Sequence, residues 1–87
     1  MDSRRVLGND HPDTLSSIND MGELLVDRSP DEAEPFYWEA LEGRRRVLGD
    51  DHTDTLTSIH NIGYLRWVQR RLDEAEPYYV KALEGSR

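Results

Sequence analysis

The 87-residue sequence contains no cysteine and no long run of apolar residues, and each absence excludes a class of protein. Without cysteine there is no disulfide framework, no zinc ribbon and no thiol nucleophile. Without an apolar run of about 20 residues there is no candidate transmembrane helix, and no secretory signal pattern is present. We therefore expect a cytoplasmic protein that does not span a membrane.

Positive charge is also scarce. The sequence has 11 Lys and Arg against 18 Asp and Glu, which gives a net charge of -7 at pH 7. Nucleic acid and anionic membrane surfaces are bound by concentrated cationic faces, so neither is expected as a partner. Apolar residues make up 36% and charged residues 33% of the chain, which indicates a thin core with much exposed surface.

What the sequence does contain is an internal repeat. Residues 4–24 match residues 45–65 at 14 of 21 positions, with an offset of 41 residues. Residues 31–45 match residues 73–87 at 11 of 15 positions, with an offset of 42 residues. One residue is therefore missing from the first copy. We predict this deletion in the turn between its two helices, because a deletion inside a helix rotates all later side chains by about 100°.

Each copy is predicted to contain two helices, which we call helix A and helix B in chain order. Apolar residues recur at spacings of three and four and never alternate with period two, so we predict an all-α chain. The predicted helices cover residues 12–27, 30–48, 53–70 and 72–86. We assign a single repeat domain in which residues 1–8 end a preceding helix B, residues 9–49 form repeat 1 and residues 50–87 form repeat 2.

Polar segments at the helix starts are interpreted as structural. Asp10 and His11, and the similar residues 50–54, include potential metal ligands, but the same residue types cap helix starts. Because the segment recurs with the repeat, we predict helix caps, no metal and no cofactor. Ser29 is predicted to begin a capping box with Glu32. The carboxylates of the two DEAEP segments lie on a polar helix face without an apolar pocket, so we do not expect an enzyme.

Three segments of the second copy resemble the tetratricopeptide repeat family: GDDHTDTL, SIHNIG and RRLDEAEP. The resemblance is to its 42-residue kind, found in kinesin light chains and in long bacterial arrays. It implies a right-handed α-solenoid of helix-turn-helix repeats, in which Gly22 and Gly63 let helix B approach helix A closely. It also implies a non-catalytic scaffold that binds protein or peptide segments.

In that family, helix A lines the concave side of the superhelix and grips peptides. The resemblance therefore implies a peptide-binding surface formed by Asn19, Asp20, Glu23, His60, Asn61, Tyr64 and Trp67. Solvated surface remains the alternative for the asparagines. Exposed aromatic side chains are typical interface anchors, although Trp67 could instead pack against Leu72 or a neighbouring repeat. Phe36, Trp38 and Tyr78 are expected in the core or between the repeats.

A second possible function is structural. Solenoid repeats bury their faces against neighbouring repeats, and about three or more are normally needed for stability. We therefore expect apolar side chains to be exposed on the first helix A and on the last helix B. Residues 3–8 of one chain and residues 82–87 of another would together complete one helix B. These features predict a homo-oligomer, formed by end-to-end stacking or by helix exchange.

Overall fold

A computed structural model describes residues 11–85 of the chain. Four helices follow one another: α1 is Pro12–Val26, α2 is Pro30–Leu48, α3 is Thr53–Val68 and α4 is Leu72–Gly85. No strand occurs between residues 11 and 85, so the prediction of an all-α repeat fold is confirmed. Every helix starts as predicted, α1 and α3 end one and two residues earlier than predicted, and α4 is helical up to residue 85, the last residue described. The predicted helix end at residues 1–8 lies outside the described residues.

Histidines cap both A helices. The Nδ1 atom of His11 accepts a hydrogen bond from the backbone N–H of Asp13 at 3.1 Å, and His52 accepts one from Asp54 at 3.0 Å. Each imidazole satisfies a backbone donor that has no partner within the helix. The interpretation of these segments as helix caps is therefore confirmed for His11 and His52.

Ser29 precedes α2 without capping it through its side chain, so the predicted capping box is wrong. The backbone carbonyl of Ser29 accepts hydrogen bonds from Glu32 at 2.9 Å and from Ala33 at 3.1 Å. Pro30 occupies the first helical position, where its lack of an N–H leaves one donor fewer to satisfy. The backbone and the proline therefore start this helix without the serine hydroxyl.

The two repeats differ at the end of helix A. α1 has 15 residues and α3 has 16, and each is followed by three residues before the next helix begins. The missing residue therefore lies in the last turn of helix A, and its predicted position in the connecting turn is wrong. Of the two A helices, only α3 is followed by a left-handed residue, Arg70 at φ 66°, at a position where glycine is usual.

The core runs through both repeats. α3 packs against α2 and α4 and also touches α1, so repeat 2 covers one side of repeat 1. The larger cluster of buried side chains draws on all four helices and consists of Val26, Ala33, Tyr37, Leu41, Leu56, Ile59, Ile62, Leu65 and Ala82. A smaller cluster contains Leu15, Ile18 and Ala40, with Phe36 packed against it. None of the described helices is long and apolar enough to cross a membrane.

Close approach of helix B to helix A depends on glycine, as the resemblance implied. A Cβ atom at Gly22 would lie 2.7 Å from Cδ1 of Tyr37, and one at Gly63 would lie 3.1 Å from Cδ1 of Tyr79. Both tyrosine rings therefore rest on a glycine of the preceding helix. The first contact is the tighter of the two.

Candidate binding surface and the joint between the repeats

The predicted binding residues all lie on α1 and α3, where the structure divides them by exposure. Asn19 is buried, and Asn61 and Tyr64 are half-buried. The remaining four are exposed: Asp20, Glu23, His60 and Trp67. The asparagines contact each other, whereas Tyr64 and Trp67 form a separate aromatic pair.

Asn19 and Asn61 join the two A helices. The Nδ2 group of Asn61 donates a hydrogen bond to Oδ1 of Asn19 at 2.8 Å. The Nδ2 group of Asn19 donates in turn to Glu23 at 3.2 Å. Donor and acceptor of the Asn19 amide are thus both engaged, and the side chain is only 5% exposed. A peptide contact by Asn19 stays a prediction, and the burial of its side chain leaves little surface for such a contact.

Tyr64 and Trp67 form an aromatic pair on α3, in which Tyr64 is half-buried and Trp67 is exposed. Their rings stack at a centroid distance of 6.0 Å with 23° between the planes. The Tyr64 hydroxyl donates to Oδ1 of Asp27 at 2.8 Å, and this hydrogen bond raises the pKa of Tyr64. Trp67 is 54% exposed, so it is not part of the core.

Carboxylates of α1 and of its C-cap border this aromatic pair. Glu23 and Asp27 are both exposed, and Asp27 contacts Tyr64 directly. Beneath them lies Tyr37, whose pKa is raised by burial and also by the charges of Glu23 and Asp27. We call Glu23, Asp27, Tyr64 and Trp67 the acidic aromatic surface.

Arg44 holds α1, α2 and α3 together. Its guanidinium donates to Oγ of Ser58 at 2.8 Å, to the backbone carbonyl of Asp54 at 3.2 Å and to Oγ of Ser16 at 3.4 Å. Arg44 is 7% exposed, so these bonds compensate a buried charge. The next residue, Arg45, instead forms an exposed ion pair with Asp50 at 3.0 Å.

A second polar network connects α2 with α3. Arg66 pairs with Glu34 at 3.1 Å and donates to Gln69 at 2.9 Å. Glu34 also accepts hydrogen bonds from Nε1 of Trp38 at 3.2 Å and from Gln69 at 3.3 Å. Burial by itself would raise the pKa of Glu34, but these hydrogen bonds outweigh it and hold the pKa below its usual range. Glu34, in the first DEAEP segment, therefore serves the joint as a carboxylate.

Aromatic rings also meet across the repeats. Trp38 of α2 and Tyr78 of α4 contact edge to face, with centroids 6.1 Å apart and planes at 73°. The expectation that these rings lie between the repeats is confirmed. Among residues 11–85 no group of three or more His, Asp or Glu side chains is placed to hold a metal ion.

An open groove lies between α3 and α4 on the outer side of repeat 2. Its volume is about 670 Å³, and apolar side chains such as Leu56, Ala82 and Leu83 line it. His60 lies in the same groove, with its ring 5.0 Å from that of Tyr79. Leu83 is 61% exposed there, which is unusual for a leucine at a position that matches a core residue of the other copy.

The sequence profile of the tetratricopeptide repeat family matches residues 26–87. A search of curated proteins gives no match to this chain. Repeats of this family are generally non-catalytic scaffolds for protein–protein interaction. The finer likeness to the repeats of kinesin light chains stays a prediction. The matched segment covers more than half of the sequence, and its paired helices are those of the structure, so the chain belongs to the tetratricopeptide repeat family.

Proposed function

We propose that this chain binds a segment of another protein on the acidic aromatic surface and has no catalytic role. One observation carries the proposal: Trp67 stacks on Tyr64 yet remains 54% exposed outside the core. Large aromatic side chains of this kind are enriched among the residues that dominate binding energy. The proposed contacts extend along α1 and α3 and comprise Asn19, Asp20, Glu23, His60, Asn61, Tyr64 and Trp67.

Charge favours a basic segment as the ligand. The exposed carboxylates of Asp20, Glu23 and Asp27 lie on or next to α1, and the whole chain carries a net charge of -7. An arginine side chain can stack on an indole ring while its guanidinium pairs with a carboxylate. The hydrogen bond from Tyr64 to Asp27 holds the aromatic pair in place before binding, which reduces the entropy lost on association.

Peptide binding by the Trp67→Ala variant tests this proposal. We expect arginine-containing peptides selected from a library on the parent chain to bind the variant at least about 30-fold more weakly. Val47→Ala is the matched control, because Val47 is 45% exposed and precedes the start of α3, whereas Trp67 lies near the other end of that helix. Peptides that bind the parent and both variants equally would contradict the proposed site.

Self-association is a second candidate, and a comparison of the two repeats favours it. Leu41 of α2 is 1% exposed because α3 covers it, whereas its counterpart Leu83 on α4 is 61% exposed. Ile62 of α3 is 0% exposed in the joint, whereas its counterpart Met21 on α1 is 44% exposed. Each repeat therefore exposes on its outer side the apolar positions that the internal joint buries.

Leu83→Lys tests the second candidate. We expect sedimentation velocity of the parent chain to reveal association that increases with concentration, and we expect the variant to remain monomeric, because a charge in the groove must be desolvated on docking. Leu72→Lys introduces the same charge at a leucine that is 58% exposed and lies outside the groove, so it should associate like the parent. A parent chain that stays monomeric at every concentration would contradict self-association.

A further inference from the structure

The joint between the two repeats provides a template for a joint between two copies of the chain. α1 corresponds to α3 at an offset of 41 residues, and α2 corresponds to α4 at an offset of 42. In the internal joint, α3 covers the groove between α1 and α2. The open groove between α3 and α4 is the equivalent surface of repeat 2, and the α1 of a second copy is the equivalent helix.

One hydrogen-bonded pair of the internal joint is replaced by two ionisable side chains when the joint forms between two copies. Asn19 and Asn61 share a hydrogen bond of 2.8 Å inside the chain. At the offset of 41 residues, Asn19 corresponds to His60 and Asn61 corresponds to Asp20. The amide pair is thus replaced by an imidazole and a carboxylate, and both side chains are exposed in the single chain.

We propose that a second copy docks its α1 into the open groove with its Asp20 against His60, so that self-association tightens as the pH falls through the range in which imidazoles titrate. The inference rests on the second proposed function and adds the register of the joint and its control by pH. Outward-facing Met21 and Leu24 of the second copy, which are 44% and 70% exposed, would cover the exposed Leu83.

Other pairs of the internal joint also have complementary counterparts. The contact between Trp38 and Tyr78 corresponds to one between Val80 and Phe36 of the second copy, which is again apolar. Arg44, in contrast, has a serine at the corresponding position 86. A joint between copies therefore lacks the buried guanidinium, and for this reason we expect it to be weaker than the internal joint and reversible.

The charged and titratable groups around His60 determine the sign of the pH effect. Tyr79 of α4 contacts the ring, Asp51 lines the groove from the turn before α3, and Tyr64 lies one turn further along α3. Burial raises the pKa of Tyr79, so this residue is uncharged. Asp20 of the second copy would add a carboxylate directly against the imidazole.

Docking of the second copy places its Asp20 carboxylate against the imidazole, so the joint takes up a proton there. By linkage, the dissociation constant then falls as the pH falls. Exposed ion pairs contribute about 0.2–1 kcal/mol, which corresponds to a dissociation constant about 1.4- to fivefold lower. A joint without this ion pair would lack the part of the pH dependence that comes from His60.

Sedimentation velocity at about pH 7.5 and about pH 5.5, on either side of the imidazole range, tests the inference. His60→Asn is the decisive variant, because it restores the asparagine of repeat 1 and leaves the net charge at pH 7 unchanged. Acidification brings the parent and each variant closer to the sequence pI of about 4.8. The resulting decrease in charge repulsion between copies is therefore common to all of them. His11 and His52 also remain in every variant, and circular dichroism at both pH values verifies that each is folded.

We expect acidification to tighten association of the parent about 1.4- to fivefold more than that of His60→Asn. His60→Asn/Asp20→Asn, which recreates the internal amide pair, should associate with the weaker pH dependence of the single variant. An equal pH dependence in the parent and in His60→Asn would overturn the role of the ion pair while leaving self-association intact. Association that persists in Leu83→Lys would overturn the groove itself, and with it the second proposed function.

Discussion

Replacing Tyr37 by alanine should destabilise the chain by about 3–5 kcal/mol, the range seen when large buried aromatic side chains are truncated. Tyr37 is 1% exposed, lies in the larger core cluster and rests on Gly22. The other residues of that cluster come from all four helices, so the cavity would open where the repeats meet. Domains of this size are stable by roughly 4–13 kcal/mol, and the variant would lose a large part of that stability.

Thermal unfolding followed by circular dichroism measures this effect. For a chain of this length, a loss of 3 kcal/mol lowers the melting temperature by at least about 12 °C. Tyr79→Ala is the matched control, because Tyr79 holds the corresponding position of repeat 2 but is only half-buried beside the open groove. The control should therefore lose clearly less stability. Equal shifts for the two variants would mean that the core is not centred on Tyr37.

Substitution of the glycine beneath each tyrosine should likewise be more destabilising in repeat 1, at Gly22, than in repeat 2, at Gly63. A Gly22→Leu variant should be destabilised by about 1–3 kcal/mol or more, because overpacking forces side chains and backbone apart. Even the smaller alanine would place its Cβ atom 2.7 Å from the buried ring of Tyr37. At Gly63 the corresponding contact is 3.1 Å, and Tyr79 has the open groove beside it into which it can shift.

Alanine substitutions separate the two sites most clearly. Alanine favours a helix over glycine by about 0.5–1 kcal/mol, so Gly63→Ala should be near neutral. Gly22→Ala should be destabilised in spite of that gain, whereas leucine should destabilise at either position. Chemical denaturation of the four variants gives the comparison, with the slope of the transition verifying that the folded states are equally compact. If Gly22→Ala were as stable as the parent, the close approach of helix B in repeat 1 would not be a constraint.

Much of the fold could be predicted from local patterns. Spacings of three and four residues gave the four helices with every start at the observed residue. His11 was one of the two residues predicted to cap its helix, and it does so. Its residue type and its position just before the helix are sufficient for that prediction, without any tertiary information. Ser29 was misassigned because a capping box depends on the rotamer of one side chain, and the backbone carbonyl took its place.

The candidate surface was predictable only in part. The resemblance placed the binding residues on the A helices, and Trp67 is indeed exposed there. It did not distinguish Asn19, which is buried in the joint, from Asp20, which is exposed on the adjacent position of the same helix. The faces of a helix that become buried depend on the angle at which the next repeat packs, and that angle is not a local property.

The sequence by itself determined the periodic part of this protein: the repeat, the helices, the glycines that allow close approach and the family. These follow from residue types at short spacings, where backbone geometry alone relates one side chain to the next. Only the tertiary structure decided the specific partners: Arg44 with Ser58, and Asn19 with Asn61. Those pairs are 14 and 42 residues apart in the chain, and they form because helix stacking buries polar groups that must then satisfy one another.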